Sequence, residues 1–234
     1  MLGNPIFLKK FEYRFLFKLL FHLVADMNIK LNNCTIYMKD EVILEDVFLD
    51  IDNGIFLRIK GENGSGKTVL LNTILGLNKN TSGSISRKYD KADLCYISDT
   101  PFFFDDEKVE EVIWTLAKFY SSTYKVLEDI SSTLNLNLAS IKKKKIYELS
   151  KGTRKKMMIL PLFIETSKCL VLDEIFTGLD LDTQAFVCER LVKKSVQGAT
   201  IIIVEHNESI METIKKNITV EEIECKNKKI QVAI

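Results

Sequence analysis

The stretch "GENGSGKT", residues 61–68, follows the apolar run "IFLRIK" and leads into "TVLLNTILGL", whose apolar residues have helical spacing and stop at Gly76. A strand, then Gly61-x-x-x-x-Gly66-Lys67-Thr68, then a helix is the order in which a glycine-rich loop cradles phosphate. Its glycines let backbone N–H groups turn inward and approach phosphate oxygens closely. The helix that follows adds partial positive charge at its N-terminus. Asn63, Gly64, Ser65, Gly66 and Val69 then line the phosphates, Lys67 reaches the β- and γ-phosphates, and the Thr68 hydroxyl ligates Mg²⁺. The alternative is an incidental Gly-rich turn.

A phosphate loop alone does not hydrolyse a nucleotide; a second carboxylate must help hold the metal and a base must orient water. "CLVLDE", residues 169–174, supplies both at one strand end, with Asp173 for Mg²⁺ and Glu174 for the water. Taken by itself, an acidic pair after a strand also reads as a helix cap with a first-turn acid. "KCLVLDE" and "ATIIIVEHN" are apolar runs with β-branched residues, separated by a helix, and read as central parallel strands.

The rest of the chain fits one large domain with an insertion. Its 234 residues are ample for a core, with 46% hydrophobic and 28% charged residues. Lys+Arg 33 against Asp+Glu 32 lacks the basic excess of a general nucleic-acid binder, so no nucleic-acid partner is expected. The five cysteines, Cys34, Cys95, Cys169, Cys188 and Cys225, form no CxxC pair and read as buried thiols. "IKLNNCTIYM" and "VFLDIDNGIFLRIK" alternate around an Asn-Gly turn and read as antiparallel strands. "TSGSI" reads as a turn and "ADLCYIS" as a short buried strand. Residues 102–148 read as mostly helical, "EEVIWTLAKFY" and "KVLEDISSTLNL" most clearly. "TRKKMMILPLFIET" reads as a helix distorted at Pro161, and "ITVEEIECKNKKIQVAI" as a hairpin turning at "KNKK".

Residues 1–26 read as an N-terminal extension. Within "FEYRFLFKLLFHLVA", residues 11–25, Lys18 and His22 interrupt the apolar run, so it does not read as a bilayer span. Lys10, Arg14, Lys18 and His22 would form one cationic helical stripe, with Phe11, Phe15, Leu19 and Leu23 on the apolar side. Such a helix lies on a membrane or against a membrane partner, or packs on the protein's own body; a start at Met27 is the third reading. "KKKK", residues 142–145, reads as a solvated charged face or as a contact to lipid headgroups or a partner.

The ordered motifs resemble the nucleotide-binding subunit of an ATP-binding-cassette (ABC) transporter, over nearly the whole chain from about Met27. "GENGSGKT" resembles the Walker A loop, "LSKGT" at 149–153 the signature LSGGQ, "CLVLDE" Walker B, "TGLD" at 177–180 the D-loop, and "VEHN" places His206 at the switch histidine. Tyr37 lies where the family stacks an aromatic ring on adenine, and otherwise reads as a strand aromatic at the core edge. The resemblance implies an α/β P-loop NTPase core with a mostly parallel central sheet, an antiparallel β subdomain and an inserted α-helical subdomain. It places the ATPase domain at 27–234 with the helical subdomain at 102–160.

The family's properties supply the further expectations. Two subunits clamp two ATP molecules head to tail. Ser150 and the amides near Gly152 contact the γ-phosphate held by the opposite subunit, His206 contacts the γ-phosphate of its own, and Asp180 communicates between the two sites. The partners implied are a second nucleotide-binding subunit and a separate transmembrane permease subunit, with the chain cytoplasmic and peripheral on the inner face of the cell membrane. A Mg²⁺-dependent ATPase powering an exporter of small peptides, antimicrobials or drugs is the reading implied. The alternatives are a soluble ABC-type scaffold or assembly factor, and a weakly active half of a heterodimer.

The chain departs from the family at Asp99 in "YISDTP", where the family has a glutamine; an aspartate there could hold a metal-bound water. Lys151 replaces the first internal glycine of the signature, Thr153 its glutamine, Ile175 the proline after Walker B, and Val69 a second threonine. None of these removes Lys67, Asp173, Glu174 or His206.

Overall fold

The computed structural model describes residues 26–88, 94–120, 122–164 and 167–232. The cationic stripe expected at residues 10–22 lies outside them. The described residues divide into two compact units: those within 26–53, 61–94 and 224–232 form one, those within 54–60 and 95–223 the other.

In the first unit, β1 (Asp26–Met38) is the middle strand of a three-stranded sheet, between β2 (Glu41–Ile51) and β4 (Thr81–Lys88). Both neighbours are antiparallel to it, with Leu31 opposite Leu49 and Ile85, and Tyr37 opposite Val42. The period of two carries Ile29 and Leu31 inward; after an irregularity in the ladder, Cys34 and Ile36 resume the buried face. Helix α1 (Lys67–Ile74) buries Leu70, Leu71 and Ile74. The C-terminal hairpin occurs where expected: β8 (Glu221–Lys226) and β9 (Lys229–Val232) are sheet neighbours joined through Asn227 and Lys228, both at positive φ. That is the backbone of a two-residue hairpin turn.

Two segments differ from the sequence expectation. "TSGSI" is not a turn; it begins β4. The Asn53-Gly54 turn does not close a hairpin either. Strand β2 pairs with β1, whereas β3 (Phe56–Lys60) runs parallel to β7 (Thr200–Val204). The Gly54 N–H instead donates to Thr200 Oγ1 at 2.8 Å, starting β3 in the second unit.

In the second unit, β3, β7 and β6 (Cys169–Asp173) run parallel in the order β6-β7-β3, with β5 (Leu94–Ile97) beside β6. All five residues of both β6 and β7 are buried. Their near-continuous apolar sequence follows from this, because a strand covered on both faces has no solvent side to leave polar. Between β5 and β6 come α2 (Val109–Phe119), α3 (Tyr124–Thr133), α4 (Leu138–Ile141) and α5 (Lys151–Ile159). Helix α5 stops at Ile159 and continues as a 3₁₀ turn over Leu160–Phe163, with Pro161 in its opening turn, because proline has no N–H for the α ladder. Helices α6 (Leu181–Val196) and α7 (Glu208–Lys215) complete the unit. One cluster joins Leu170, Leu172, Ile201 and Ile203 of the sheet to Val112, Leu127, Met157 and Leu191 of the helices. All five cysteines are buried, as expected.

Candidate active site

The candidate residues fall in both units, and each half is built locally. In the first unit, the loop after β3 wraps around its own lysine. Lys67, 5% exposed, donates to the carbonyls of Gly61 at 3.0 Å and Glu62 at 2.8 Å. The Ser65 N–H closes the loop onto Glu62 O at 3.1 Å. Two positions require glycine. Gly61 has φ +140, and a Cβ there would lie 2.5 Å from the Cys225 carbonyl oxygen of β8. Gly66 has φ +99 and is the N-cap of α1, with no side chain capping the helix and no acid in its first turn. An uncapped helix N-terminus beside a lysine is an anion site.

The Ser65 hydroxyl is buried and has no hydrogen-bond partner among the described residues. A buried polar atom is expected to be paired, so its isolation points to a missing polar ligand at the loop. Asn63, Gly64 and Thr68 are exposed and Val69 half-buried. Tyr37 is half-buried on β1, its N–H donating to Asn80 O at 2.9 Å and its carbonyl accepting from Asn78 Nδ2 at 3.3 Å.

In the second unit, β6 ends at Asp173, which is 3% exposed. Glu174 follows with φ +49, a left-handed conformation uncommon for a residue with a side chain. Its N–H still reaches Val204 O at 3.0 Å, so the sheet pairing extends one residue past the strand. Strand β7 ends beside it. Glu205 Oε1 accepts the N–H groups of His206 and Asn207, both at 2.8 Å, and this folds the turn that presents His206. Burial pushes the Glu205 carboxyl above its ordinary range, although those two N–H groups oppose the shift. His206 Nε2 lies 3.3 Å from Glu174 Oε1.

The signature segment caps α5. Ser150 Oγ accepts from the Thr153 N–H at 3.1 Å and meets Thr153 Oγ1 at 2.8 Å, so the threonine closes the cap. A Cβ at Gly152 would lie 3.7 Å from Gly178 O, so the signature runs beside "TGLD". Asp180 is the N-cap of α6, accepting from Thr183 N at 2.9 Å and Thr183 Oγ1 at 2.7 Å. Lys156 of α5 stands 2.6 Å from its other oxygen. That ammonium first, and Thr183 second, hold Asp180 well below the usual carboxylate range. Asp99, exposed just after β5, faces Lys155 at 3.6 Å.

Three cations of this unit had no sequence signal: Lys155, Lys156 and Arg58. Arg58 on β3 is 1% exposed; it donates to both oxygens of Glu208 at 2.9 and 2.8 Å, to Glu222 at 3.0 Å and to Glu205 O at 2.9 Å. Ion pairs depend on tertiary placement, which has no local pattern.

No cluster of three or more His, Cys, Asp or Glu able to hold a metal exists among the described residues. Mg²⁺ bound with a nucleotide takes ligands from phosphate and water and needs only one or two carboxylates, so it requires no self-contained metal centre. No helix among the described residues is long and apolar enough to cross a membrane.

The sequence model of the family described as "ABC transporter" matches residues 44–177. The "Cytochrome c biogenesis ATP-binding export protein CcmA" of Reclinomonas americana is 30% identical over 209 residues, covering 84% of this chain and 91% of that protein. Among solved structures, an ATP-binding subunit of an ABC transporter matches with a TM-score of 0.72 at 22% identity, over 88% of this chain and 90% of that one. A dimeric post-hydrolysis state of the ATP-binding cassette MJ0796, bound to ADP and Pi, matches with a TM-score of 0.70 at 22% identity, over 87% of this chain and 96% of that one.

Proposed function

The chain belongs to the ABC transporter family as an ATP-binding subunit, and from that premise we propose that it hydrolyses ATP with Mg²⁺ to drive a transmembrane partner. The observation that carries the hydrolytic reading is the pair at the strand ends, Glu174 Oε1 and His206 Nε2 at 3.3 Å. The loop Gly61–Thr68 binds the phosphates through its amides, the Ser65 hydroxyl and Lys67, with Val69 opening the helix behind it. Tyr37 stacks on the adenine. Mg²⁺, when bound, neutralises charge on the phosphate oxygens, and Thr68 and Asp173 are the residues that would hold it.

Glu174 acts as the base. Its carboxylate takes a proton from water as the water oxygen bonds to the γ-phosphorus, the bond to the bridging oxygen breaks, and ADP departs with that electron pair. His206 fixes the carboxylate and the γ-phosphate in its own subunit. Ser150 and the amides near Gly152, at the start of α5, face the ATP of a second nucleotide-binding subunit, and Asp180 links the two sites. The export named in the Reclinomonas relative supports an exporter. The short segment between Asp99 and the signature supports small peptides, antimicrobials or drugs as cargo. The subunit then sits at the inner face of the cell membrane.

The test is Glu174→Gln in the full chain. ATP binding is retained and turnover falls by roughly 10²-fold or more; comparable turnover sinks the base assignment. Coupling to transport is tested by purifying the tagged chain from detergent-solubilised membranes. A stoichiometric multi-span membrane protein is expected, and soluble partners alone would move the function to an assembly factor.

A further inference from the structure

Lys155 joins two groups of the proposed site that are distant in sequence. The residue is only 8% exposed, and its ammonium donates to the Glu174 carbonyl at 3.2 Å and stands 3.6 Å from Asp99 Oδ1. Glu174 is thereby held at both ends, its N–H on Val204 O and its C=O on Lys155. A left-handed residue with a side chain persists only where its surroundings over-determine it, and these two bonds do so. The side chain so fixed is the one that meets His206.

A buried ammonium needs an anion. Asp99 supplies it from the segment after β5, with its own side chain 72% exposed. Lys155 lies in the helix whose N-cap is Ser150, so one side chain touches the signature helix, the segment after β5 and the base. We propose that Lys155 is a positioning residue for hydrolysis, clamping the Glu174 backbone, and that Asp99 acts by anchoring Lys155 instead of by holding metal. This rests on the reading of Glu174 as the base.

The experiment is single-turnover hydrolysis of radiolabelled ATP by the full chain, with ATP affinity measured in parallel. Lys155→Met keeps the buried stem and removes the charge. The rate is expected to fall about tenfold or more with ATP affinity held within about twofold, and Lys155→Arg to restore most of it. Asp99→Asn is expected to slow the step about threefold, and Asp99→Asn with Lys155→Met to be no slower than Lys155→Met alone, because Asp99 acts through the lysine. A folded Lys155→Met within about twofold of the parent, while Glu174→Gln has lost turnover, overturns the proposal. So does a loss matched by an equal loss of ATP affinity, or multiplicative effects of the two substitutions. Should Lys155→Met not fold, the exposed Asp99→Asn carries the test, and an unchanged rate there overturns it. Retained turnover in Glu174→Gln would instead remove the underlying base assignment.

Discussion

His206 Nε2 and Glu174 Oε1 stand 3.3 Å apart, each at the end of a different parallel strand. Strands β6 and β7 are in register up to Asp173 opposite Val204, so the two side chains come from the residues just beyond one aligned edge.

His206→Ala is expected to lower ATP turnover about 10²-fold, and His206→Ala with Glu174→Gln to cost little more than Glu174→Gln alone. Residues acting as one unit lose function together. Single-turnover ATP hydrolysis of the three variants checks this, and multiplicative losses would mean that the contact carries no shared role.

Gly61→Ala and Gly64→Ala should separate steric cost from backbone cost. At Gly64, φ is +81 but a Cβ meets nothing within 4 Å, so only the left-handed penalty of roughly 1–2 kcal/mol applies. At Gly61 the added carbon meets the Cys225 carbonyl at 2.5 Å, so the loss is larger and the loop is displaced. Urea melts of both variants, with nucleotide affinity in parallel, check the order.

The acid limb of stability should report Glu222. Burial alone would raise its pKa, but hydrogen bonds from Lys215, Lys60 and Arg58 bring it down to about 2, from an ordinary 4.5. A group whose folded pKa is depressed contributes its full stability above the unfolded value and loses it as pH falls through the folded one. The window is therefore pH 4.5 down to about 2. Glu222→Gln is expected to lower Tm at neutral pH and to flatten the decline of Tm across that window; a parallel decline in both proteins would contradict the assignment.

The strand, loop and helix around Gly61–Thr68 and the strands that end at Asp173 and before His206 were legible because each is a local pattern in a fixed order. "TSGSI" misled because glycine and serine also serve inside strands. Gly83 has φ +84, and a Cβ there would lie 2.2 Å from Asn33 O, so this glycine marks a close approach beside the irregularity in the β1–β4 ladder. The Asn53-Gly54 pair misled differently, since a turn dipeptide says that the chain reverses and not which strand receives it. The partners of Lys155, Lys156 and Arg58 could not be read at all, because a lysine or arginine in a periodic segment looks the same whether it snorkels to water or turns back onto a carboxylate or carbonyl of the protein.

The Cys225 carbonyl pressed against Gly61 has a consequence for the order of folding. The wall of the phosphate loop is a strand from the far end of the chain. Contacts of such long sequence separation form slowly, after loop-closure entropy has been met. A peptide carrying β3, the loop and α1 would hold the motif's phosphate-binding atoms and still lack that wall. Removal of β8 and β9 is therefore expected to weaken nucleotide binding although every residue of the loop is still present.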